Sequence, residues 1–254
     1  MSILTTLASI LALTYSSISL GCAHPISSAY SALQTAEGHL VFNETPFVVD
    51  NAGGVELGIN VSFYNCADNS EYLIGELPFL ATTGKIITAF FADANNDGND
   101  ELFVIHAAPI NSDTGVNYHS DYYSTHVYEK TKNKYSRNEK ISSYFGSGGD
   151  IINDADNDLL AYTFPYKTET SIREKLSSKN YLKWAHGEEA TYTVNKKTYI
   201  HRFPVLPEKT HMYLVSGDAV TQVEAESGWI SITFITRNKK EIHGWIKCED
   251  VDGC

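Results

Sequence analysis

Residues 209–251 read KTHMYLVSGDAVTQVEAESGWISITFITRNKKEIHGWIKCEDV, a series of short apolar–polar alternations cut by turn residues. Tyr213, Leu214 and Val215 lead into a turn at Gly217-Asp218, and 219–223 form the next strand. Ser227-Gly228 turns the chain into 229–235, 237–240 make a polar hairpin tip, and 242–247 return. Period-two alternation bounded by Gly, Asp, Asn and Ser is the grammar of antiparallel strands and hairpins. Short strands at this density suit a small barrel, because closure removes exposed sheet edges. The expected fold class is therefore mainly β. An acidic β-rich domain with a short helix spans 23–189, a small barrel spans 190–254, and the polar stretch 185–190 marks the boundary.

Upstream, 39–50 and 55–64 alternate around Gly53-Gly54 and read as strand, turn, strand. Residues 86–92 (IITAFFA) and 102–108 (LFVIHAA) are two β runs flanking a loop rich in Gly, Asp and Asn. Residues 122–129 form a further strand, followed by a turn at Lys132-Asn133. Residues 25–37 read as a short helix or tether after Pro25. Ser171 with Glu174 three residues on makes a capping box. The spacing predicts a short helix with Ile172 and Leu176 on one face, ending near Ser177.

The 254 residues are 43% hydrophobic and carry a net charge of −12, so there is apolar material for a core and the chain is not of disordered composition. Residues 23–129 hold 14 carboxylates against the single basic side chain Lys85, whereas 190–254 balance eight acids with eight bases. Such a field repels nucleic acid and anionic lipid and attracts cations or a basic protein. No GxSxG, HExxH, P-loop or Rossmann glycine pattern occurs, so no catalytic residue is assigned and the chain reads as a non-enzyme. His119, Asp121 and His126 are a weak metal cluster, better explained as loop and strand residues. Cys66, in FYNCADNS, lacks the context of a nucleophile.

The first 22 residues contain no charged side chain, and 3–20 are apolar with Ser and Thr mixed in. Residues 1–22 read as an export signal rather than a membrane helix, which places the chain in the periplasm or cell envelope. Two processing readings stand open. Cleavage after Ala23 is one. In the other, Gly21-Cys22 ends a lipobox and Cys22 becomes a lipidated first residue, the only contact with membrane. In an oxidising compartment two of Cys66, Cys248 and Cys254 can pair. Cys248–Cys254 would close a small loop, Cys66–Cys254 would tie the two domains, and the spacing does not choose between them or against free thiols.

Residues 93–102 read DANNDGNDEL. Asp93, Asn95 and Asp97 alternate, Gly98 stands where a sharp turn needs it, Asn99 offers a backbone carbonyl, and Glu101 closes the set. Calcium takes roughly six to eight oxygens, and alternate side chains on a tight turn converge on one centre. An EF-hand would need Glu where Val104 stands. The loop instead resembles the calcium loop of FG-GAP/VCBS-type β repeats, in which a strand enters, a D-x-N-x-D-G loop turns, and a strand leaves through Leu-Phe-Val. The resemblance covers the loop and its flanks in a single copy, so it implies a Ca2+ site and not a propeller. Residues 153–162 (NDADNDLLAY) echo it through Asp154, Asp156 and Asp158, but lack the glycine and read as an acidic turn.

The segments YLVSGDAV, SGWISITF and GWIKCEDV, with TYTVNKKTYIHRFPVLPEKT before them, resemble the bacterial SH3 (SH3b-like) domain over 190–252. That resemblance implies an SH3-like barrel acting as a binding module of exported or envelope proteins. Tyr199, Tyr213, Trp229 and Trp245 are its candidate binding aromatics, though the two tryptophans suit barrel core better. Together with export and the acidic field, the expectation is an envelope binding protein, calcium-stabilised, that binds or inhibits a protein partner such as a basic secreted toxin, in the manner of an immunity protein. The alternatives are a peptidoglycan or surface-polymer binder acting through the barrel, and an unrecognised cell-wall hydrolase.

Overall fold

A computed structural model describes residues 22, 25–48, 54–80, 82–110, 116–154 and 159–254. Residues 1–21 of the export signal expected over 1–22 lie outside those residues, as do Ala23, Gly53, Asp156 and Asp158. The chain is mainly β, as its alternation predicts.

Four strands, β1 (Tyr30–Gln34), β2 (Gly38–Val48), β3 (Val55–Asn65) and β4 (Ser70–Glu76), form an antiparallel meander. A second meander follows in β5 (Lys85–Ala92), β6 (Glu101–Ala108), β7 (Tyr122–Thr131) and β8 (Lys134–Arg137). The β7–β8 turn is the expected Lys132-Asn133 pair, with φ of 50° and 67° as a two-residue hairpin requires. The two sheets face each other over Leu40, Phe42, Ile59, Val61, Leu102 and Val104. At one rim the Tyr72 hydroxyl accepts the Tyr135 N–H.

All eight residues of β6 are buried. Successive side chains point to opposite faces, so a strand covered on both sides is apolar throughout. Leu102 and Val104 face the first sheet, while Phe103 and Ile105 enter a second, aromatic core with Phe90, Tyr144, Phe145, Phe164, Tyr166 and Tyr181. Three short helices cover that core: α1 (Glu139–Phe145), α2 (Glu169–Leu176) and α3 (Lys179–Ala185). The helix expected around Ile172 and Leu176 is α2, but its cap is Thr168, with Ser171 as the reciprocal partner. Ser171 thus sits inside the first turn, and its hydroxyl does what a Glu carboxylate does in the common box. Residues 25–37 correct the expected short helix or tether: Tyr30–Gln34 is strand β1, paired on β2 because Tyr30 and Leu33 pack on the first core.

After α1, a two-residue strand β9 (Ser147–Gly148) pairs with β7, and β10 (Ile151–Asp154) forms a hairpin with β11 (Leu159–Tyr162). The C-terminal unit comprises β12 (Ala190–Thr193), β13 (Thr198–His201), β14 (Lys209–Leu214), β15 (Ala219–Glu226), β16 (Trp229–Ile235) and β17 (Glu241–Lys247). They make one antiparallel sheet in the order β12-β15-β16-β17-β13-β14. A bridge between Val194 and Val251 brings the chain after β17 back to the end of β12, around a core of Tyr192, Ile200, Leu214, Val220, Ile232 and Ile246. Beside it Asp250 is buried, holding the Thr198 hydroxyl and the Lys196 ammonium, the latter at 2.9 Å.

The β15–β16 turn joins the two halves. Ser227 and Gly228 have φ of 53° and 81°, the geometry of a two-residue hairpin. Ser227 donates its N–H to the Tyr144 carbonyl (3.1 Å), accepts the Ser147 N–H on Oγ (3.1 Å), and accepts the Tyr162 hydroxyl on its carbonyl (2.6 Å). A Cβ at Gly146 would stand 2.0 Å from Ser227 Oγ, so glycine is required there for the approach as well as for its φ of 57°. The next residue, Trp229, enters the aromatic core. A boundary at 190 therefore divides the sheets but not the packing.

Two disulfides close the described chain, Cys22–Cys66 and Cys248–Cys254. The second is one of the two pairings left open by the spacing. Cys66 pairs with Cys22 instead of Cys254, which corrects the domain-tying alternative. It also corrects the lipidation of Cys22, because a lipid anchor needs as a thioether the same sulfur that the disulfide occupies.

Candidate functional site

The five loop residues expected to meet a cation lie in one turn between β5 and β6. Asp93 accepts the Asp97 N–H on Oδ1 (3.1 Å) and the Gly98 N–H on Oδ2 (2.9 Å). Asn95 Oδ1 accepts the same Asp97 N–H at 2.9 Å. Asp97 Oδ1 accepts from the backbone and side chain of Asn99, at 2.8 and 3.0 Å. Those Asn99 bonds hold the Asp97 carboxyl below its ordinary range. Gly98, at φ 87°, makes the sharp turn. Glu101 opens β6 and is only 4% exposed, with Oε2 accepting the Ala94 N–H at 2.7 Å. Burial pushes its pKa up to about 6 against that hydrogen bond, and the Asp97 and Asp93 carboxylates push the same way.

The loop is held from behind by α3. The Tyr181 hydroxyl donates to the Ala94 carbonyl (2.8 Å), and His186 Nε2 lies 3.1 Å from the Asn95 carbonyl. In front, an open cleft of about 380 Å³ is lined by Asn95, Asp97, Asn99, Glu101 and Glu129. Its carboxylate and amide oxygens suit a hard cation, and Lys130, paired with Glu37, also lines it. Among the described residues, only Cys22, His39 and Cys66 bring three metal-type ligand atoms within 4.8 Å of one another, and both sulfurs are occupied by the disulfide. His126 is buried against Arg137 while His119 is exposed, so these two do not form a site.

The expected aromatics divide into two pairs. Tyr199 on β13 and Tyr213 on β14 are cross-strand partners, 37% and 53% exposed, with ring centroids 6.2 Å apart. Lys197 Nζ stands 4.4 Å from the Tyr213 ring centre, and Lys209 Nζ stands 4.7 Å from that of Tyr199. β14 is the last strand of its sheet, and Phe203, Val205 and Met212 are also exposed nearby in sequence. Trp229 and Trp245 do not join this platform. Trp229 is 3% exposed, 4.9 Å from the His201 ring and 5.8 Å from Tyr162, and half-buried Trp245 packs on the same aromatic core. The physical reason is register: Tyr199 and Tyr213 take the parity opposite to core residues Ile200 and Leu214, while Trp229 follows a turn pressed against α1.

A third surface was legible only as a charge count. Glu56, Glu71 and Glu76 stand exposed on the outer face of the first sheet, Glu56 opposite in parity to Ile59 and Val61, Glu71 to Tyr72, and Glu76 turned outward beside Asn60 by the register shift in β4, and none is ion-paired to a described residue. Comparison with known protein families, with curated proteins and with solved structures finds no match for this chain.

Proposed function

We propose that this chain is an exported, non-catalytic binding protein that recognises a cell-wall or surface polymer through an SH3-like barrel. The observation that carries it is the platform of Tyr199 and Tyr213 beneath Lys197 and Lys209, across β13 and the edge strand β14. Exposed aromatic faces suit sugar rings, and the ammonium groups suit carboxylate or phosphate on the same polymer. The two disulfides fit an oxidising compartment.

Sedimentation with purified peptidoglycan tests the platform. Tyr213→Ala is expected to weaken retention about tenfold, the loss typical of an exposed aromatic anchor. Its stability should stay within about 0.5 kcal/mol of the parent, because the ring is not core. Equal retention of parent and variant would remove the platform from the interface.

A second reading has its own observation. The unpaired carboxylates Glu56, Glu71 and Glu76 favour a basic protein, of the kind a secreted toxin presents to an immunity protein. Such binding would be retained from envelope extract at low salt and lost steeply as ionic strength rises.

Calcium belongs to the same proposal as a stabiliser. Asp93, Asn95, Asp97 and Glu101 side chains, with the Asn99 carbonyl, would hold it, and a dication would offset the burial of Glu101 first and the smaller push of the Asp97 and Asp93 carboxylates on it. At a hundredfold excess over Kd, binding to the folded state alone contributes about 2.7 kcal/mol. A chelator should therefore lower Tm by roughly 5–10 °C, and Asp97→Ala should abolish the difference. An unchanged melting curve on chelation of calcium-loaded protein would withdraw the metal.

A further inference from the structure

We infer that Cys248–Cys254 is a thiol–disulfide exchange site, taking two electrons from a dithiol donor, with Lys175 as the cation that receives the released thiolate. Lys175 lies on α2 and is 6% exposed. Its Nζ stands 3.9 Å from Sγ of Cys248 and 3.9 Å from Sγ of Cys254, and donates to the Cys254 carbonyl at 2.7 Å. Whichever sulfur leaves, it leaves beside the same ammonium. The other side of the disulfide is open: Cys248 and Cys254 line a cleft of about 330 Å³ with Tyr162, Pro165, Tyr166 and Gly228. A buried cation behind an accessible disulfide is the arrangement that lowers the pKa of the leaving thiol and speeds exchange.

The chemistry balances. A donor thiolate attacks one Sγ, the Cys248–Cys254 bond breaks, and the departing sulfur becomes a thiolate paired with Lys175. The donor's second thiolate then attacks its own sulfur in the mixed disulfide and displaces the second cysteine. The donor leaves as a disulfide, the protein holds two reduced cysteines, and the donor's two protons are available to them. Burial pulls Lys175 down to about 8, so it remains largely ammonium at neutral pH, and among the described residues it forms no ion pair with an Asp or Glu side chain. The other ionisable groups nearby are Tyr144, whose ring lies 5.7 Å from Nζ, and Glu249, which is paired with Lys247.

The test uses the full chain reduced with dithiothreitol and freed of it, then alkylated with iodoacetamide across pH, with Cys248 and Cys254 followed by peptide mass spectrometry. One of the two should be half-maximally reactive near pH 7, well below the roughly 8.5 of a free cysteine. Lys175→Met should move that midpoint up by about one unit, because the nearby positive charge is gone. A parent midpoint at or above roughly 8.5 overturns the inference without any variant. So does an unshifted midpoint in folded Lys175→Met.

Discussion

Trp229→Ala is expected to lower stability by about 4 kcal/mol, the usual range for deleting a large buried aromatic. Trp229 follows directly on the Ser227-Gly228 turn, and its ring reaches out of the C-terminal sheet into the aromatic core under the helices. It touches Tyr162 and His201, one from each half of the chain. Removing it empties the place where the halves share a core, and the surrounding rings are too constrained by one another to collapse into the gap. Tyr144 and Tyr181 are 4.9 Å apart edge to face, and Phe145 and Tyr166 are likewise 4.9 Å apart. The loss should also be visible as shape: one unfolding transition in the parent becomes two in the variant, the C-terminal sheet melting apart from the sandwich. Calorimetry and guanidinium titration read both effects. A loss below about 1 kcal/mol, with a single transition kept, would refute the shared-core account.

Stability should fall on acidification through His126. His126 lies on β7, opposite Val104, and is buried. Arg137 donates to its Nδ1 at 3.0 Å, so that nitrogen carries a lone pair and the neutral ring is the bonded form. Burial first, then the Arg137 charge and His106, push its pKa from 6.5 down to about 3. Above pH 6.5 neither folded nor unfolded chain protonates this ring, and it has no effect on pH dependence. Below that value the unfolded chain takes a proton that the fold refuses until about pH 3. The fold therefore weakens by about 1.4 kcal/mol per unit as pH falls, on the order of 4 kcal/mol over the whole window. His106, lowered by burial, acts in the same sense. Glu101 acts in the opposite sense: raised from 4.5 to about 6, it takes up its proton more readily in the fold and partly masks the loss within that interval. His126→Gln keeps an acceptor for Arg137 without titrating, and should flatten the curve of unfolding free energy against pH. Identical slopes in parent and variant would assign the acid sensitivity elsewhere.

What was legible depended on how local the determining contacts are. The loop from Asp93 to Glu101 carries its hydrogen-bond partners within a few residues, so its turn follows from spacing alone. Lys132-Asn133 and Ser227-Gly228 are turns for the same reason. The run LFVIHAA read as a strand from its largely apolar β residues, and it is buried throughout. Helices α1 and α3, at seven residues each, are too short for periodicity to show, and their helicity rests on packing against distant aromatics. Residues 25–37 read as a short helix or tether because YSALQ has no strong alternation and becomes a strand only beside β2. Trp229 sits in a barrel-like pattern that says nothing about what another unit presses against it. The Tyr199–Tyr213 platform needed the register of two strands separated by a loop, whereas the residues themselves were visible.

The three hydrogen bonds on Ser227, with the glycine at 146 that admits them, leave the C-terminal sheet no hinge. On the proposed readings, the tyrosine platform and the acidic outer sheet would be two faces of one packed body. A partner engaging one face would meet the other at a preset distance and angle, with no linker to close and no entropy of search to overcome. Such a body would act like a caliper, favouring assemblies whose spacing matches its own, and a flexible tether in place of Ser227 would make it indifferent to spacing.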